Sequence, residues 1–353
     1  MASDNLTQRA RIEQWLSLPT CERNTASAVL GVPLHLLPGA SPSREASKLA
    51  GWIGNAFEAS LFEERFELLE KLLKEAALLS EDLFLIPKDK EDLIGLELQL
   101  KLSRDRLAEM VPASSKKAYI FRGFRLPANL FGDESAFEID LLLAVPHSDT
   151  QYELIIGEVK VYPAKAGRTN AGQIAGARAQ AGLYAHILSG WLKEHPELEN
   201  VVFDNKGFLV FTNPVDGKPL IAEVNSLFEQ RSRANLAIQS LTKIKSTRKD
   251  WAALENAKQE EKLTFLEEVK TDSGDGCWSF CSLAHRCFKD AVSNDNTIVL
   301  GSQSANHLSR IPLSVSLQLA DGTLDPQDDV ETELQERISE ANFDELEVLP
   351  WHK

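Results

Sequence analysis

The sequence predicts an α/β protein in which a central mixed sheet is flanked by helices. Apolar residues recur every three or four positions between Ala46 and Leu79, which is the spacing of an amphipathic helix. After Lys117 the chain changes to short apolar runs that are rich in β-forming residues. The resulting order of helix, strands, helix, strands and helix is typical of a mixed α/β domain.

Local patterns justify each element in chain order. Helical spacing opens the chain, a segment rich in Pro, Gly and Ser follows, and then come the long amphipathic helix and a second helix. A polar break at 147–150 separates two strands and predicts a hairpin. An Ala- and Gly-rich helix leads to two further strands and a last helix. The predicted helices are 7–18, 46–79, 90–110, 171–191 and 226–243, and the predicted strands are 118–124, 136–145, 152–161, 207–212 and 219–224.

The composition is that of an ordinary globular protein, with 43% hydrophobic and 26% charged residues in a chain of 353. No secretory signal or transmembrane stretch is evident, which predicts a cytoplasmic protein that contacts no membrane. The formal net charge is −15, of which the segment from Asp321 to Glu347 carries −10, so the remainder carries −5. A body this mildly acidic is compatible with DNA binding through a local basic groove. The acidic segment is expected to be a solvated tail or a terminal helix. The alternative is that it competes with DNA for the basic groove or binds a basic partner protein.

The chain contains four cysteines, and their spacing suggests a metal centre. Cys21 lies near the start, whereas Cys277, Cys281 and Cys287 lie together near the end. Four thiolates suit either zinc or a [4Fe–4S] cluster, but the gap of 256 positions after the first cysteine is unlike the paired knuckles of structural zinc sites. Disulfides are disfavoured in a large chain without a secretory signal. Buried cysteines without a metal are the remaining alternative, and His285 could replace one thiolate.

A cluster of two carboxylates and one lysine predicts phosphodiester chemistry. Asp140 ends one short strand, and strand alternation places Glu158 and Lys160 on the same face of the next. A hairpin brings Asp140 alongside them, so that the carboxylates can hold a divalent cation beside the ammonium. Two other Glu-x-Lys triplets, at 260–262 and 268–270, lack an upstream apolar strand that ends in Asp. The alternative interpretation is an exposed strand edge with alternating charges.

The helix that follows carries Gln180 and Tyr184, which are four residues apart and share one face. Together with Asp140 and the triplet Glu158-Val159-Lys160, they resemble the motifs of the PD-(D/E)XK nuclease superfamily, specifically its RecB-like branch. One cysteine before this core and three after it resemble the iron–sulfur members of that branch, such as the CRISPR adaptation nucleases and the AddB nuclease domain. This resemblance implies a restriction-endonuclease-like core whose two ends are joined by a metal cluster with four cysteine ligands.

The resemblance also assigns roles to the residues of the carboxylate–lysine cluster. Asp140 and Glu158 would ligate Mg²⁺ or Mn²⁺, with the Val159 carbonyl as an extra ligand, and Lys160 would be the catalytic lysine. Related nucleases often carry a histidine ligand on the early helix, but the segment 51–58 has none. Glu58 is the expected substitute, because the superfamily also uses a glutamate there; a solvated helix carboxylate is the alternative.

The remaining roles concern the helix and the cysteines. Gln180 and Tyr184 would contact the substrate or support the site. The first late spacing is Cys-x3-Cys, whereas Cys-x2-Cys is the more familiar form, and the following Cys-x5-Cys step matches. The resemblance implies that a [4Fe–4S] cluster is bound by Cys21, Cys277, Cys281 and Cys287. Zinc is the alternative metal for these four ligands.

The predicted function is that of a divalent-metal-dependent DNase with exonuclease character, acting on ends or single strands in DNA repair, CRISPR adaptation or phage defence. The first alternative is a non-cutting DNA-binding or adaptor subunit of a helicase–nuclease or defence complex, and the second is a sequence-specific restriction-type endonuclease. The chain has no phosphate-binding loop of the type Gly-x4-Gly-Lys-Ser/Thr, so a helicase or ATPase partner would be a separate chain. The predicted domains are 1–290 for the nuclease with its cluster and 291–353 for an extension, and the oligomeric state is left open.

Overall fold

The computed structural model divides the chain into two compact units. One unit comprises Met1–Ser43 and Lys243–Lys353, and the other comprises Arg44–Thr242. The predicted domain boundary at residue 290 coincides with neither division point and stays a prediction. The residues that the structure describes are 8–18, 21–41, 56–89, 96–110, 112–128, 130, 135–161, 171–212, 218–247, 251–271, 277, 281–296, 306, 308 and 311–340.

The unit Arg44–Thr242 is built on one curled, mixed sheet of six strands, which confirms the predicted α/β class. The strands follow one another in chain order across the sheet. The pairs β1–β2 and β4–β5 are parallel, and the other three pairs are antiparallel. The strands are β1 (Phe84–Lys88), β2 (Lys117–Ala128), β3 (Ser135–Pro146), β4 (Tyr152–Lys160), β5 (Val201–Thr212) and β6 (Pro219–Ser226).

The five predicted strands correspond to β2 to β6, and the predicted hairpin joins β3 to β4. The backbone N–H of His147 donates to the Gln151 carbonyl at 2.8 Å and closes this turn. The short strand β1 escaped prediction. It has only five residues, one of which is Pro87, and it lies between two helices at the edge of the sheet.

The described helices of this unit are a helical segment at 56–62, α3 (Phe66–Glu75), α4 (Leu96–Ala108), α5 (Ala171–Glu194) and α6 (Phe228–Thr247), the last of which continues past residue 242. The single helix predicted over 46–79 is wrong in its middle, because a turn at 63–65 interrupts it; its residues 46–55 lie outside the described part of the chain. At the turn, Ser60 Oγ donates to the Phe57 carbonyl at 2.7 Å, and the Arg65 N–H donates to the Ser60 carbonyl at 2.9 Å. These bonds replace the regular helical ladder locally.

The apolar stripe of the helices packs against the sheet, as its spacing predicts. Phe57 and Leu61 from the segment 56–62, and Leu69 and Leu73 from α3, are all buried. They belong to one core cluster with sheet residues that include Leu141, Leu143, Ile155, Val159 and Val210. The burial of this stripe is the main force that holds the helices on the sheet.

The unit formed by the two ends of the chain is helical in its described residues. Arg11 on the first helix donates to the carbonyls of Ala28 at 2.7 Å and Val29, and so satisfies the last turn of the second helix. Gly31 ends that helix with a φ of 69°. The helices are α1 (Gln8–Ser17), α2 (Glu22–Leu30), α7 (Trp251–Glu255), α8 (Gln259–Glu268), α9 (Ala284–Ser293), α10 (Leu313–Ala320) and α11 (Asp329–Glu340).

Part of the acidic segment, Asp329–Glu340, forms α11. Leu334 and Ile338 of this helix pack with Ile311 and Leu319 in a small apolar cluster. The structure therefore places a terminal helix there, and residues after 340 lie outside the described part of the chain. No helix in the described ranges combines the length and the apolar character needed to cross a membrane.

Two glycines of α5 offer a direct test of how closely this helix packs. A Cβ at Gly182 would lie 2.5 Å from Gln230 Cβ and 2.6 Å from the Gln230 carbonyl carbon, whereas a Cβ at Gly176 would meet nothing within 4 Å. Gly182→Ala should lower the free energy of unfolding by about 1–3 kcal/mol, because the α6 backbone must shift. Gly176→Ala is the control and should raise it by up to about 1 kcal/mol. Urea unfolding measures both, and a Gly182→Ala protein as stable as the Gly176→Ala protein would contradict this packing.

Candidate functional site

The candidate active site lies where β3 and β4 stop pairing. The last pair of their ladder is Leu141 with Gly157, so the next two residues along it, Asp140 and Glu158, are not paired. Strand β4 remains paired with β5 as far as Lys160. At this break Asp140 Oδ2 accepts a hydrogen bond of 2.9 Å from the backbone N–H of Val159. The carboxylate takes the place of a strand carbonyl as the acceptor for a buried donor. Asp140 is therefore fixed beside β4.

Glu158 and Lys160 form a buried ion pair on β4. All nine residues of this strand are buried, with Glu158 0% and Lys160 7% exposed. Lys160 Nζ donates to Glu158 Oε1. Charges that leave water at this depth require a partner. The alternative of an exposed strand edge is wrong for β4, and the predicted hairpin does bring Asp140 beside this strand.

A neighbouring helix completes the arrangement around the lysine. Lys160 Nζ also donates to Gln180 Oε1 at 3.0 Å, and Gln180 Nε2 donates to the Tyr184 hydroxyl at 2.7 Å. The Tyr184 ring packs 6.1 Å from the ring of Phe137 at the start of β3. Gln180 and Tyr184 are 5% and 4% exposed, so these contacts are buried. The helix therefore holds the ammonium group in place through a chain of hydrogen bonds.

Gly157 allows the sheet to close tightly next to Glu158. A Cβ on Gly157 would lie 2.4 Å from the Phe208 ring and 2.9 Å from Leu141 Cβ. A side chain at this position would force β4 away from its neighbours. The residue before the catalytic candidate is thus constrained by packing.

The donor chemistry of this site fits a hard divalent cation. Asp140, Glu158 and the Val159 carbonyl offer oxygen atoms, and the two carboxylates outnumber the single ammonium of Lys160. Mg²⁺ keeps several waters and is commonly held by one or two carboxylates, so it does not need a cage made of protein alone. This matters because, within the described residues, no three His, Cys, Asp or Glu side chains are arranged to hold a metal ion.

Glu58, the third predicted carboxylate ligand, contacts an arginine of β2. Its Oε1 atom is 3.7 Å from Arg122 Nε, and Arg122 Nε is also 3.0 Å from Asp89 Oδ1. Arg122 is registered opposite Leu141, the neighbour of Asp140 on β3. The predicted ligand is therefore engaged by an arginine in this structure. The role of Arg122, which is 9% exposed, was not predicted from the sequence. An arginine inside an apolar strand is a sequence signal for a buried ion pair, and it could have pointed to this contact.

Cysteines from both ends of the chain lie in one unit, and three of them pack together. Cys21, Cys277 and Cys281 share a small apolar cluster with Leu18 and Ala284. Cys281 donates its backbone N–H to the Cys277 carbonyl at 2.8 Å. None of the four cysteines, all of which lie in the described part of the chain, is paired in a disulfide. His285, the predicted substitute ligand, is exposed, unlike the cysteines.

Burial keeps two of these thiols protonated. Burial first, and the neighbouring thiols after it, raise the pKa of Cys281 to about 12 and that of Cys287 to about 11. The positive charge of Arg23 opposes this effect and favours a lower pKa at Cys287. Metal binding requires thiolates and therefore releases protons, and a preformed site rarely exists before the metal binds. Four thiols are the donor type that zinc or an iron–sulfur cluster requires, although they do not form an assembled ligand set among the described residues.

The other Glu-x-Lys triplets differ from the one on β4. Glu260 and Lys262 lie on α8, a helix, and Glu268 and Lys270, at its end, are both exposed. Comparison of the chain with protein-family models, with characterised proteins and with solved structures finds no match. The nuclease family therefore stays a prediction from the motifs.

Removal of the ammonium from the buried pair should lower the stability of the fold. Lys160→Met leaves the Glu158 carboxylate buried without its ammonium and should lower the free energy of unfolding by about 3–5 kcal/mol. The double variant Glu158→Gln/Lys160→Met removes both charges and should recover much of this loss. Urea unfolding in the presence of a chelator gives the values. Strictly additive effects of the two substitutions would contradict a coupled buried pair.

The raised thiol pKa values predict a pH dependence for the metal-free protein. The pKa of Cys281 rises from 9.0 to about 12 in the folded chain. The stability that this thiol contributes is fully present below the unfolded pKa and is lost as the pH rises through the folded pKa. Wild-type protein should therefore lose stability above about pH 9 more steeply than a Cys281→Ala variant. Urea unfolding at several pH values tests this, and parallel losses in the two proteins would contradict it.

Proposed function

We propose that this chain is a divalent-metal-dependent deoxyribonuclease of the PD-(D/E)XK type. The observation that supports this most strongly is the joining of Asp140 to β4 beside the buried pair of Glu158 and Lys160, at the point where two strands diverge. An ion pair that served only the fold would need one carboxylate. A second carboxylate raises the electrostatic cost unless a cation compensates it.

In this proposal the two carboxylates bind a cation, and the lysine supplies a positive charge. Asp140 and Glu158, with the Val159 carbonyl, would bind Mg²⁺ or Mn²⁺. When bound, such an ion polarises the phosphoryl group and lowers the pKa of a coordinated water. Lys160 carries the positive charge that can orient the attacking water or offset charge that develops on the phosphate. The contacts of Lys160 with Glu158 and Gln180 restrict where that charge can lie.

Gln180 and Tyr184 act as positioning residues in this proposal. The Gln180 amide accepts from Lys160 and donates to Tyr184, so one side chain fixes the ammonium and is itself fixed. A preorganised charge needs no rearrangement when negative charge develops in the transition state. We take DNA ends or single strands as the substrate.

The four cysteines would bind a [4Fe–4S] cluster, with zinc as the alternative metal. Their place in the unit that both chain ends form supports a structural role, because a metal there would hold together segments far apart in sequence. The metal would be a cross-link in the fold and would take no part in phosphodiester hydrolysis.

The test is DNA cleavage by substituted proteins with Mg²⁺ or Mn²⁺. Asp140→Asn, Glu158→Gln and Lys160→Met should each reduce the cleavage rate at least about 100-fold, because each removes a metal ligand or the catalytic charge. Glu268→Gln is the matched control, since it changes the glutamate of an exposed Glu-x-Lys triplet, and it should cleave like wild type. A thermal melt of every variant separates loss of chemistry from loss of fold.

Two outcomes would overturn the proposal. Full activity of a folded Glu158→Gln protein would remove the central carboxylate from the mechanism. Wild-type protein that binds DNA but leaves single-stranded and duplex substrates intact with either metal would favour the adaptor alternative. In that case the same substitutions should leave DNA affinity unchanged.

A further inference from the structure

Arg23 is a buried arginine whose guanidinium group is only partly used by the fold. The residue is 8% exposed. Its Nε donates to the Val269 carbonyl at 3.2 Å, and its Nη2 donates to the Glu267 carbonyl at 2.9 Å. Both acceptors lie at the C-terminal end of α8, where free carbonyls and the helix dipole favour a cation. The position of the guanidinium plane is therefore set by two backbone contacts.

The third nitrogen of this guanidinium has no partner within the described residues. Arg23 Nη1 is buried and has no hydrogen-bond acceptor there. A buried donor on a charged group is expensive to leave unsatisfied, and such cases in native proteins need an explanation. A bound group that supplies an acceptor is one such explanation.

Arg23 is a neighbour of cysteines in this unit. Arg23 follows Cys21 by two residues on α2, and Cys21 packs with Cys277 and Cys281. Of the charged groups around Cys287, Arg23 acts on that thiol most strongly. Arg23 thus follows the early cysteine by two positions, and its positive charge acts on the late Cys287.

We propose that Arg23 Nη1 donates a hydrogen bond to a metal-bound sulfur of the cysteine centre, and that this contact strengthens metal retention and raises the reduction potential of an iron–sulfur cluster. The proposal rests on the cysteine centre proposed above. Four thiolates exceed the charge of zinc or of an iron–sulfur core, so the loaded centre is an anion. Hydrogen bonds to the sulfurs and nearby positive charge are known means by which a protein tunes such a centre.

Arg286 provides a matched control because it is the sequence neighbour of Cys287. Its Nη1 donates to the Pro38 carbonyl at 2.8 Å and is 3.6 Å from Glu267 Oε1, and its Nε is 3.8 Å from Asp290 Oδ2. Its side chain is 22% exposed. Removal of Arg286 takes one positive charge from the same unit without removing the donor in question.

The experiment compares full-length wild type, Arg23→Met, Arg23→Lys and Arg286→Met, all purified without oxygen. Iron, sulfide and zinc are quantified, and metal affinity is measured by competition with a chelator. Arg23→Met should bind the metal about 10–100-fold more weakly than wild type. In an iron-loaded protein its reduction potential should also be more negative. Arg23→Lys, which keeps the charge but not the fixed donor, should fall between, and Arg286→Met should behave like wild type.

The same proteins without metal distinguish a metal contact from a structural one. If Arg23 serves only the fold, Arg23→Met lowers the stability of metal-free and loaded protein equally and leaves metal affinity and reduction potential unchanged, which overturns the proposal. If Arg23→Met does not fold, the affinity and potential of Arg23→Lys decide between the two roles, since a structural role predicts wild-type values. Wild-type chain that binds neither iron nor zinc overturns both the cysteine centre and this inference. Loaded protein that responds to Arg23 but cleaves no DNA leaves the inference standing and removes only the nuclease proposal.

Discussion

The hydrogen bond from the Val159 N–H to Asp140 is the contact on which the arrangement of the site depends. The β3–β4 ladder stops at Leu141 and Gly157, and the buried N–H of Val159 still needs an acceptor. Because a carboxylate provides it, the strands can diverge without leaving that donor unsatisfied. The break thus sets a carboxylate next to the strand that carries Glu158 and Lys160.

Burial of the charged side chains Asp140, Glu158 and Lys160 lowers the stability of the fold. Burial of the surrounding apolar core offsets this cost. The apolar residues that flank the site on β3 and β4, such as Leu141 and Val159, pack with Leu61 and Leu69 of the neighbouring helices. A site made of buried charges on a rigid sheet keeps its geometry without help from substrate, which is what electrostatic stabilisation of a transition state requires. A single substitution in the buried network is expected to change both the stability and the proposed cleavage activity.

The sequence predicted the fold well wherever periodicity or residue type decides the structure. Strands β2 to β6 and the position of Asp140 beside β4 followed from alternation and one hairpin. The break at 63–65 did not, because it depends on the hydroxyl of Ser60, and β1 did not, because five residues carry too little pattern. The engagement of Glu58 by Arg122 and the donor of Arg23 arise from tertiary contacts between segments distant in sequence, which no local pattern encodes.

The most direct test is to measure the binding of Mn²⁺ to metal-free protein. The spectroscopic signal of the free ion reports how much Mn²⁺ is bound. If Asp140 and Glu158 hold the cation, Asp140→Asn and Glu158→Gln should weaken binding at least about tenfold, since each removes a charged ligand. Lys160→Met removes a nearby positive charge and should bind Mn²⁺ at least as tightly as wild type, even though it should cleave DNA at least about 100-fold more slowly. Mn²⁺ affinity that is the same in wild type and in folded Glu158→Gln protein would contradict the assignment of this site.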